Sequence, residues 1–351
     1  MNFFYYILHS LVKITLPLYY RRVHVTGKEN LPLDKPVLLA VNHQNAFLDA
    51  VLVAYKLKKQ AYFLARSDAF KHPVAAKILS GMNIVPIYRS QDGTGVKNNA
   101  EVFSWCYRTL AEKKWVLIFP EGTCEPHKHM FPLKKGMARI ALGAVEKYPE
   151  LDLQIVPVGL NYSDHMAFRS DVWIDYGPAI SVQKVVKENS GSGDRINILT
   201  AQVEQELRAI VLHLEKEGYH EANERMQNNM VALKPKSGKE LVELAKADVS
   251  SEKPVDRSTS PFSIYNILSF PLLLVHRPLF FLIDWLSEKV TGKNEFFPSI
   301  KYGLCTLLFP VYWSILSFAM IGVLGWPWWS FLVLWFAFPL TLWMGLTVKR
   351  V

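Results

Sequence analysis

Apolar and polar positions between residues 23 and 180 alternate in short blocks. The apolar runs "PVLLAV" (36–41), "AYFLA" (61–65), "IVPIY" (84–88), "WVLIF" (115–119), "QIVPVGL" (154–160) and "VWIDYG" (172–177) predict strands. Stretches with apolar residues at helical spacing, 46–57, 73–80, 97–112, 134–147 and 195–218, predict helices between and after them. Strands that are apolar nearly throughout have both faces covered. The interleaving therefore predicts an α/β fold, a mixed, mostly covered sheet flanked by helices. Such sheets place ligand sites beyond the C-terminal ends of their strands.

The pattern changes toward the C-terminus. Residues 303–324 and 326–348 carry no Asp, Glu, Lys or Arg, and each is long enough as a helix to cross the roughly 30 Å apolar core of a bilayer. Lys301 precedes the first run and Lys349 and Arg350 follow the second, with no Lys or Arg between. The positive-inside rule makes this a transmembrane hairpin with both outer ends in the cytoplasm. Residues 262–286 are apolar but interrupted by Pro271, His276, Arg277, Pro278 and Asp284, so they are expected to lie on the membrane or re-enter it. Residues 1–22 have an apolar body, interior His9 and Lys13, and a basic end at Arg21 and Arg22, the pattern of an interfacial amphipathic helix. Residues 235–261 are mostly polar and read as a flexible linker. The expected organisation is a membrane-associated helix (1–22), a catalytic domain (23–234), a linker (235–261) and a C-terminal helical membrane module (262–351). The catalytic domain is expected to face the cytoplasm from an integral membrane anchor.

Composition adds partners. Forty basic against 31 acidic residues give a net charge of +9, which suits anionic membrane lipids. No arginine-rich tract or nucleic-acid motif is present, so nucleic acid is not an expected partner. Cys106, Cys124 and Cys305 show neither metal-ligand nor redox spacing, and the His and carboxylate positions show none either, so no metal is expected.

Four short blocks carry candidate chemistry. In "AVNHQNAFLDA" (40–50) a strand ends at Asn42-His43 and a helix follows with Asp49 near its start. Six residues on one helix rotate by about 240°, so the two meet only if His43 sits in the turn. An Asp on one imidazole nitrogen orients the other as a base. On these residues alone, the favoured reading is an unrelated turn histidine and helix-start aspartate. In "IFPEGT" (118–123) a strand ends before Glu121, Gly122 and Thr123, whose N–H and hydroxyl groups suit an oxyanion or phosphate. In "NIVPIYRSQD" (83–92) Arg89 follows a strand and offers a fixed fork of phosphate donors. "QIVPVGLNY" (154–162) reads as a strand forming a wall of the site.

The order of these blocks, Asn-His…Asp, Pro-Ile-x-Arg, Phe-Pro-Glu-Gly-Thr and Val-Pro-Val-Gly, resembles the four-block pattern of the glycerolipid acyltransferases. That family includes the 1-acylglycerol-3-phosphate and glycerol-3-phosphate acyltransferases. The usual first block has four residues between His and Asp, whereas here Gln44 to Leu48 make five. The form "NHQNAFLD", with "RSQD" after the second strand, is similar to the fungal glycerol-3-phosphate/dihydroxyacetone-phosphate acyltransferases.

The resemblance implies an O-acyltransferase of phospholipid biosynthesis. It implies His43 as general base and Asp49 as its partner, with Arg89, Glu121, Gly122 and Thr123 in the acceptor site. Lys134, in a stretch similar to the family's continuation, either adds charge near the phosphate or is a solvated helix-start lysine. The donor is acyl-CoA or acyl-carrier protein, with no further cofactor, and the acceptor is glycerol-3-phosphate or a lysophospholipid. No serine or cysteine is coupled to His43 in a recognised motif, so direct transfer is expected, with Cys124 the one candidate for an acyl-enzyme. A membrane scaffold with a degenerate domain is the non-enzymatic alternative. A lipid hydrolase lacks its nucleophile elbow here.

Overall fold

The computed structural model describes residues 3–57, 59–71, 73–87, 95–191, 193–248, 273–292 and 294–348. The chain divides into two compact units, residues 1–255 and 256–351.

The first unit is built on one mixed eight-stranded sheet. Its strands are β1 (Arg22–Thr26), β2 (Val37–Val41), β3 (Ala61–Arg66), β4 (Ile84–Ile87), β5 (Trp115–Ile118), β6 (Gln154–Tyr162), β7 (Asp171–Tyr176) and β8 (Ile180–Ser181). They run in the order β1-β7-β6-β2-β5-β3-β4, with β8 pairing β6. β2, β5, β3 and β4 pair in parallel, as do β2 with β6 and β1 with β7. β6 pairs antiparallel with β7 and β8.

All five residues of β2 are fully buried, as expected of a central strand covered on both faces. From β2 the chain passes to β3 on one side, and from β5 it returns to β6 on the other. The C-terminal ends of β2 and β5 therefore flank the point where the strand order reverses, the usual place for a ligand site.

The helices of this unit are α1 (Phe3–Tyr19), α2 (Phe47–Lys56), α3 (Pro73–Gly81), α4 (Gly95–Ala111), α5 (Gly136–Lys147), α6 (Val182–Glu188), α7 (Arg195–Arg208), α8 (Tyr219–Leu233) and α9 (Gly238–Asp248). Leu38, Val116 and Ile155 from the sheet, Leu110 from α4, Ile140 from α5 and Val203 from α7 share one apolar core. α1 buries Leu16 and Tyr19 while exposing Ile7, Leu11, Ile14 and Leu18, a stripe at helical spacing. The Arg169 side chain donates to the carbonyls of Pro17, Leu18 and Tyr20 at 3.0, 3.0 and 3.2 Å, satisfying the open end of α1.

Two elements differ from the sequence pattern. The helix expected over 195–218 stops at Arg208. Beyond it Asn161 Nδ2 donates to Ile210 O at 2.9 Å, and Leu212 N donates to Asn161 Oδ1 at 2.7 Å. A buried amide on β6 thus takes backbone groups that a longer helix would keep. The polar stretch after 234 is not open linker throughout, since α9 packs Leu241, fully buried, with Trp173 and Met226. Gly238 N donates to the buried Asp175 carboxylate at 2.8 Å, which fixes the start of α9. The rest of the expected linker, from 249, lies outside the described residues, as do 262–272 and the basic pair Lys349 and Arg350.

The second unit contains α10 (Arg277–Thr291), α11 (Phe297–Leu324) and α12 (Ser330–Val348). Among the described residues, α11 is the one helix long and apolar enough to cross a membrane, and the apolar part of α12 is shorter. Gly325, at φ 64°, ends α11, and Pro327 precedes α12. The second apolar run therefore becomes helical only at Ser330 instead of at 326. Within the unit, Trp335 Nε1 donates to Ser314 Oγ at 3.1 Å. Lys301 is largely buried and pairs with Asp284 at 2.7 Å.

Candidate active site

His43 lies just past the end of β2, and Asp49 lies in the first turn of α2. His43 Nδ1 and Asp49 Oδ2 are 2.9 Å apart. The extra residue of this block does not separate them, because the chain reverses through Ala46 at φ 45°, ψ −130°. That reversal also directs the N–H groups of Gln44 and Asn45 onto the same Oδ2, at 2.9 and 2.7 Å. Asp49 is fully buried. An isolated carboxylate in that setting is costly, and these donors are what make it tolerable.

The histidine is held from three further directions. Its ring stacks on Phe119 with centroids 3.8 Å apart and planes 15° apart. Its backbone N–H donates to Glu121 Oε1 at 2.9 Å. Its neighbour Asn42 joins β2 to β6, donating to Leu160 O at 2.9 Å and accepting from Leu160 N at 2.6 Å. The His43 side chain keeps 18% of its surface exposed, enough for a reacting group to approach.

Glu121 is 1% exposed. Its second oxygen accepts the N–H of Phe131 at 2.7 Å, so each oxygen is committed to a backbone donor. Burial raises its carboxyl to about 7, against the two backbone hydrogen bonds. Gly122 follows at φ 67°, its Cα side close to the Lys134 side chain. Lys134 N donates to Pro120 O at 2.7 Å. Gly122 and Lys134 are exposed and Thr123 is half-buried. The structure therefore joins His43 with Asp49 and Glu121, and Gly122 with Lys134. Arg89 lies outside the described residues.

Several residues here were given no individual role by the sequence pattern. Tyr162 is fully buried at the end of β6 and donates its hydroxyl hydrogen bond to Asp49 Oδ1. β6 runs four residues past its pairing of Val158 with Val41, which carries Tyr162 above the end of β2. Gln44 Oε1 lies 3.1 Å from Nε2 of buried His165, and burial pushes that imidazole well below its usual range, so it stays neutral. The available signal was positional, since polar residues at the end of a central strand's neighbour face the site.

Cys124 Sγ accepts from Ala46 N at 3.1 Å. Ligand atoms of His43, Asp49 and Cys124 lie within 4.8 Å of one another, so sequence-distant residues offer a set that could hold a metal. Asp49 Oδ2 already accepts from the imidazole and two amides. Beside α2, Phe47, Ala50, Val51 and Ala54 line a small apolar pocket of about 50 Å³ with Val12 of α1 and Phe63 of β3. These four positions form one stripe of the helix.

The family model described as Acyltransferase matches residues 22–161. Glycerol-3-phosphate O-acyltransferase 1 of Saccharomyces cerevisiae is 36% identical over 97 residues, which cover 26% of this chain and 13% of that protein. A 1-acyl-sn-glycerol-3-phosphate acyltransferase of Borreliella burgdorferi is 25% identical over 213 residues, covering 58% of this chain and 78% of that one. The crystal structure of the 1-acyl-sn-glycerophosphate acyltransferase from Thermotoga maritima aligns with TM-score 0.41 and 20% identity, over 62% of this chain and 80% of that one. The chain thus spans only a small part of the yeast relative's length.

Proposed function

We propose, for a chain whose residues 22–161 match the Acyltransferase family model, that it transfers a fatty acyl group from acyl-CoA or acyl-carrier protein to a hydroxyl of glycerol-3-phosphate. The observation that carries this reading is the contact of His43 Nδ1 with Asp49 at 2.9 Å. It leaves Nε2 as the nitrogen that takes the hydroxyl proton while the oxygen attacks the thioester carbonyl. The tetrahedral oxyanion then collapses, the thiolate leaves, and the proton held on His43 passes to it. Asp49 stabilises the imidazolium between these events. Imidazole suits this work because its ordinary pKa lies near neutrality.

Arg89, Gly122, Thr123 and Lys134 hold the acceptor phosphate in this reading. Glu121 positions His43 and the 121–131 loop and does not touch the acceptor. The exposed stripe of α1 lies on the membrane surface, and α11 with α12 anchors the chain as an integral hairpin with the first unit on the cytoplasmic side. This keeps a lipid product at the interface.

The first block and the yeast match favour glycerol-3-phosphate. The match to the Borreliella burgdorferi protein covers more of that relative and supports 1-acylglycerol-3-phosphate as the second acceptor. The test is an acyl-transfer assay on membranes containing the protein. Labelled acyl-CoA and acyl-carrier protein are offered with glycerol-3-phosphate, dihydroxyacetone phosphate and lysophospholipids. Acyl-glycerol-3-phosphate as the main product supports the proposal. A diacyl product alone shifts it to the second acceptor. No transfer by folded protein to any acceptor overturns it.

A further inference from the structure

Four donors converge on Asp49. His43 Nδ1 and the N–H groups of Gln44 and Asn45 meet Oδ2, and Tyr162 meets Oδ1. The three at Oδ2 belong to the same turn as His43 and move with it. Tyr162 comes from β6, which is anchored in the sheet on both sides by β2 and β7. A carboxylate held at one oxygen can still rotate about its Cβ–Cγ bond, whereas one held at both oxygens cannot.

We propose that Tyr162 is a positioning residue of the acyl-transfer site. Its hydroxyl fixes the rotation of the Asp49 carboxylate and sets how strongly that carboxylate holds the His43 imidazolium. The inference rests on the reading of His43 as base and goes beyond it, since none of the four blocks assigns Tyr162 a role.

The physical consequence has a sign. A hydrogen bond donated to Oδ1 disperses the carboxylate charge and weakens Oδ2 as a partner for the imidazolium. Losing that bond concentrates charge on Oδ2, stabilises protonated His43 and keeps the base occupied to higher pH. Burial, with Asp49 nearby, raises the phenol well above its ordinary range, so it remains a donor at working pH.

The other titratable groups facing this pair are Glu121 from the end of β5, bonded to the His43 N–H, and Cys124 beyond it. Tyr20 lies behind Tyr162, and His165 reaches the turn through Gln44. Glu121 titrates near 7 and contributes to the same window. It is common to the variants compared here, so differences between them report Tyr162.

The test compares the pH dependence of kcat/KM for the full-length protein in membranes, for wild type, Tyr162→Phe and protein carrying 3-fluorotyrosine at 162. The Phe variant keeps the ring and loses the donor. Fluorotyrosine keeps the hydroxyl and strengthens the donor, so it remains informative if the Phe variant fails to fold. The acidic limb is expected to move to higher pH by about half a unit to one unit in Tyr162→Phe and to lower pH with fluorotyrosine. Loss of activity by the same factor at every pH in Tyr162→Phe, or a fluorotyrosine profile that overlays wild type, overturns the proposal. Activity surviving in His43→Ala instead removes the reading of His43 as base, whatever Tyr162 does.

Discussion

Glu121 accepts the backbone N–H of His43 at 2.9 Å, so the Phe-Pro-Glu-Gly-Thr block closes the turn that carries the histidine. The same carboxylate accepts the N–H of Phe131 at 2.7 Å and ties the turn to the loop after β5. This accounts for a carboxylate in a block expected, from the resemblance, to bind phosphate. Its charge is directed into the protein, toward two amides with no better acceptor.

Glu121→Ala leaves both part-buried amides without their carboxylate partner. Stability is expected to fall by about 2–4 kcal/mol. A thermal or denaturant melt of the variant against wild type checks this.

Glu121 also gives stability a pH dependence. Its carboxyl is raised from 4.5 to about 7 by burial, so the folded state holds the proton more tightly than the unfolded chain. That contribution is complete below about 4.5 and is lost as pH rises through about 7. Wild type is expected to lose stability relative to Glu121→Gln across that window. Melting temperatures of the two proteins, measured side by side at several pH values, read the difference directly. A constant offset contradicts the assignment.

Ala46 occupies φ 45°, ψ −130°, a conformation that disfavours a Cβ. Ala46→Gly is expected to stabilise by about 1 kcal/mol, the relief of strain outweighing the added freedom of the unfolded chain. Calorimetric melting checks the direction.

α9 enters the first unit at Gly238, where an added Cβ would stand 2.2 Å from Ile210 O and 2.6 Å from Asp175 Oδ2. Gly238→Ala forces the start of α9 away from β7, with an expected loss of about 1–3 kcal/mol. A melt equal to wild type would mean that residues 238–248 do not belong to this unit's core.

Much of this was readable in the chain because apolar runs report strands directly. β2, β3, β5 and β7 fall where "PVLLAV", "AYFLA", "WVLIF" and "VWIDYG" predict them, and His43 stands where a strand gives way to a helix. What escaped the pattern depends on single polar contacts between distant segments. The Asn161 amide ends α7 by taking the backbone at 210 and 212, which no periodicity reports. α9 is polar enough to read as linker, yet its burial of Leu241 and the bond from Gly238 to Asp175 make it structure. The motif shows that Glu121 is present but not which way it faces, and Tyr162 acquires meaning only once β6 is known to overrun β2.

The central claim is that His43, oriented by Asp49, is the base of an acyl transfer. The most direct measurement is the initial rate of acyl transfer to glycerol-3-phosphate by membranes carrying wild type, His43→Ala or Asp49→Asn, at matched amounts of folded protein. The account predicts a fall of at least about 10²–10⁴-fold in His43→Ala, with Asp49→Asn strongly impaired as well. A His43→Ala rate within a few-fold of wild type would contradict it.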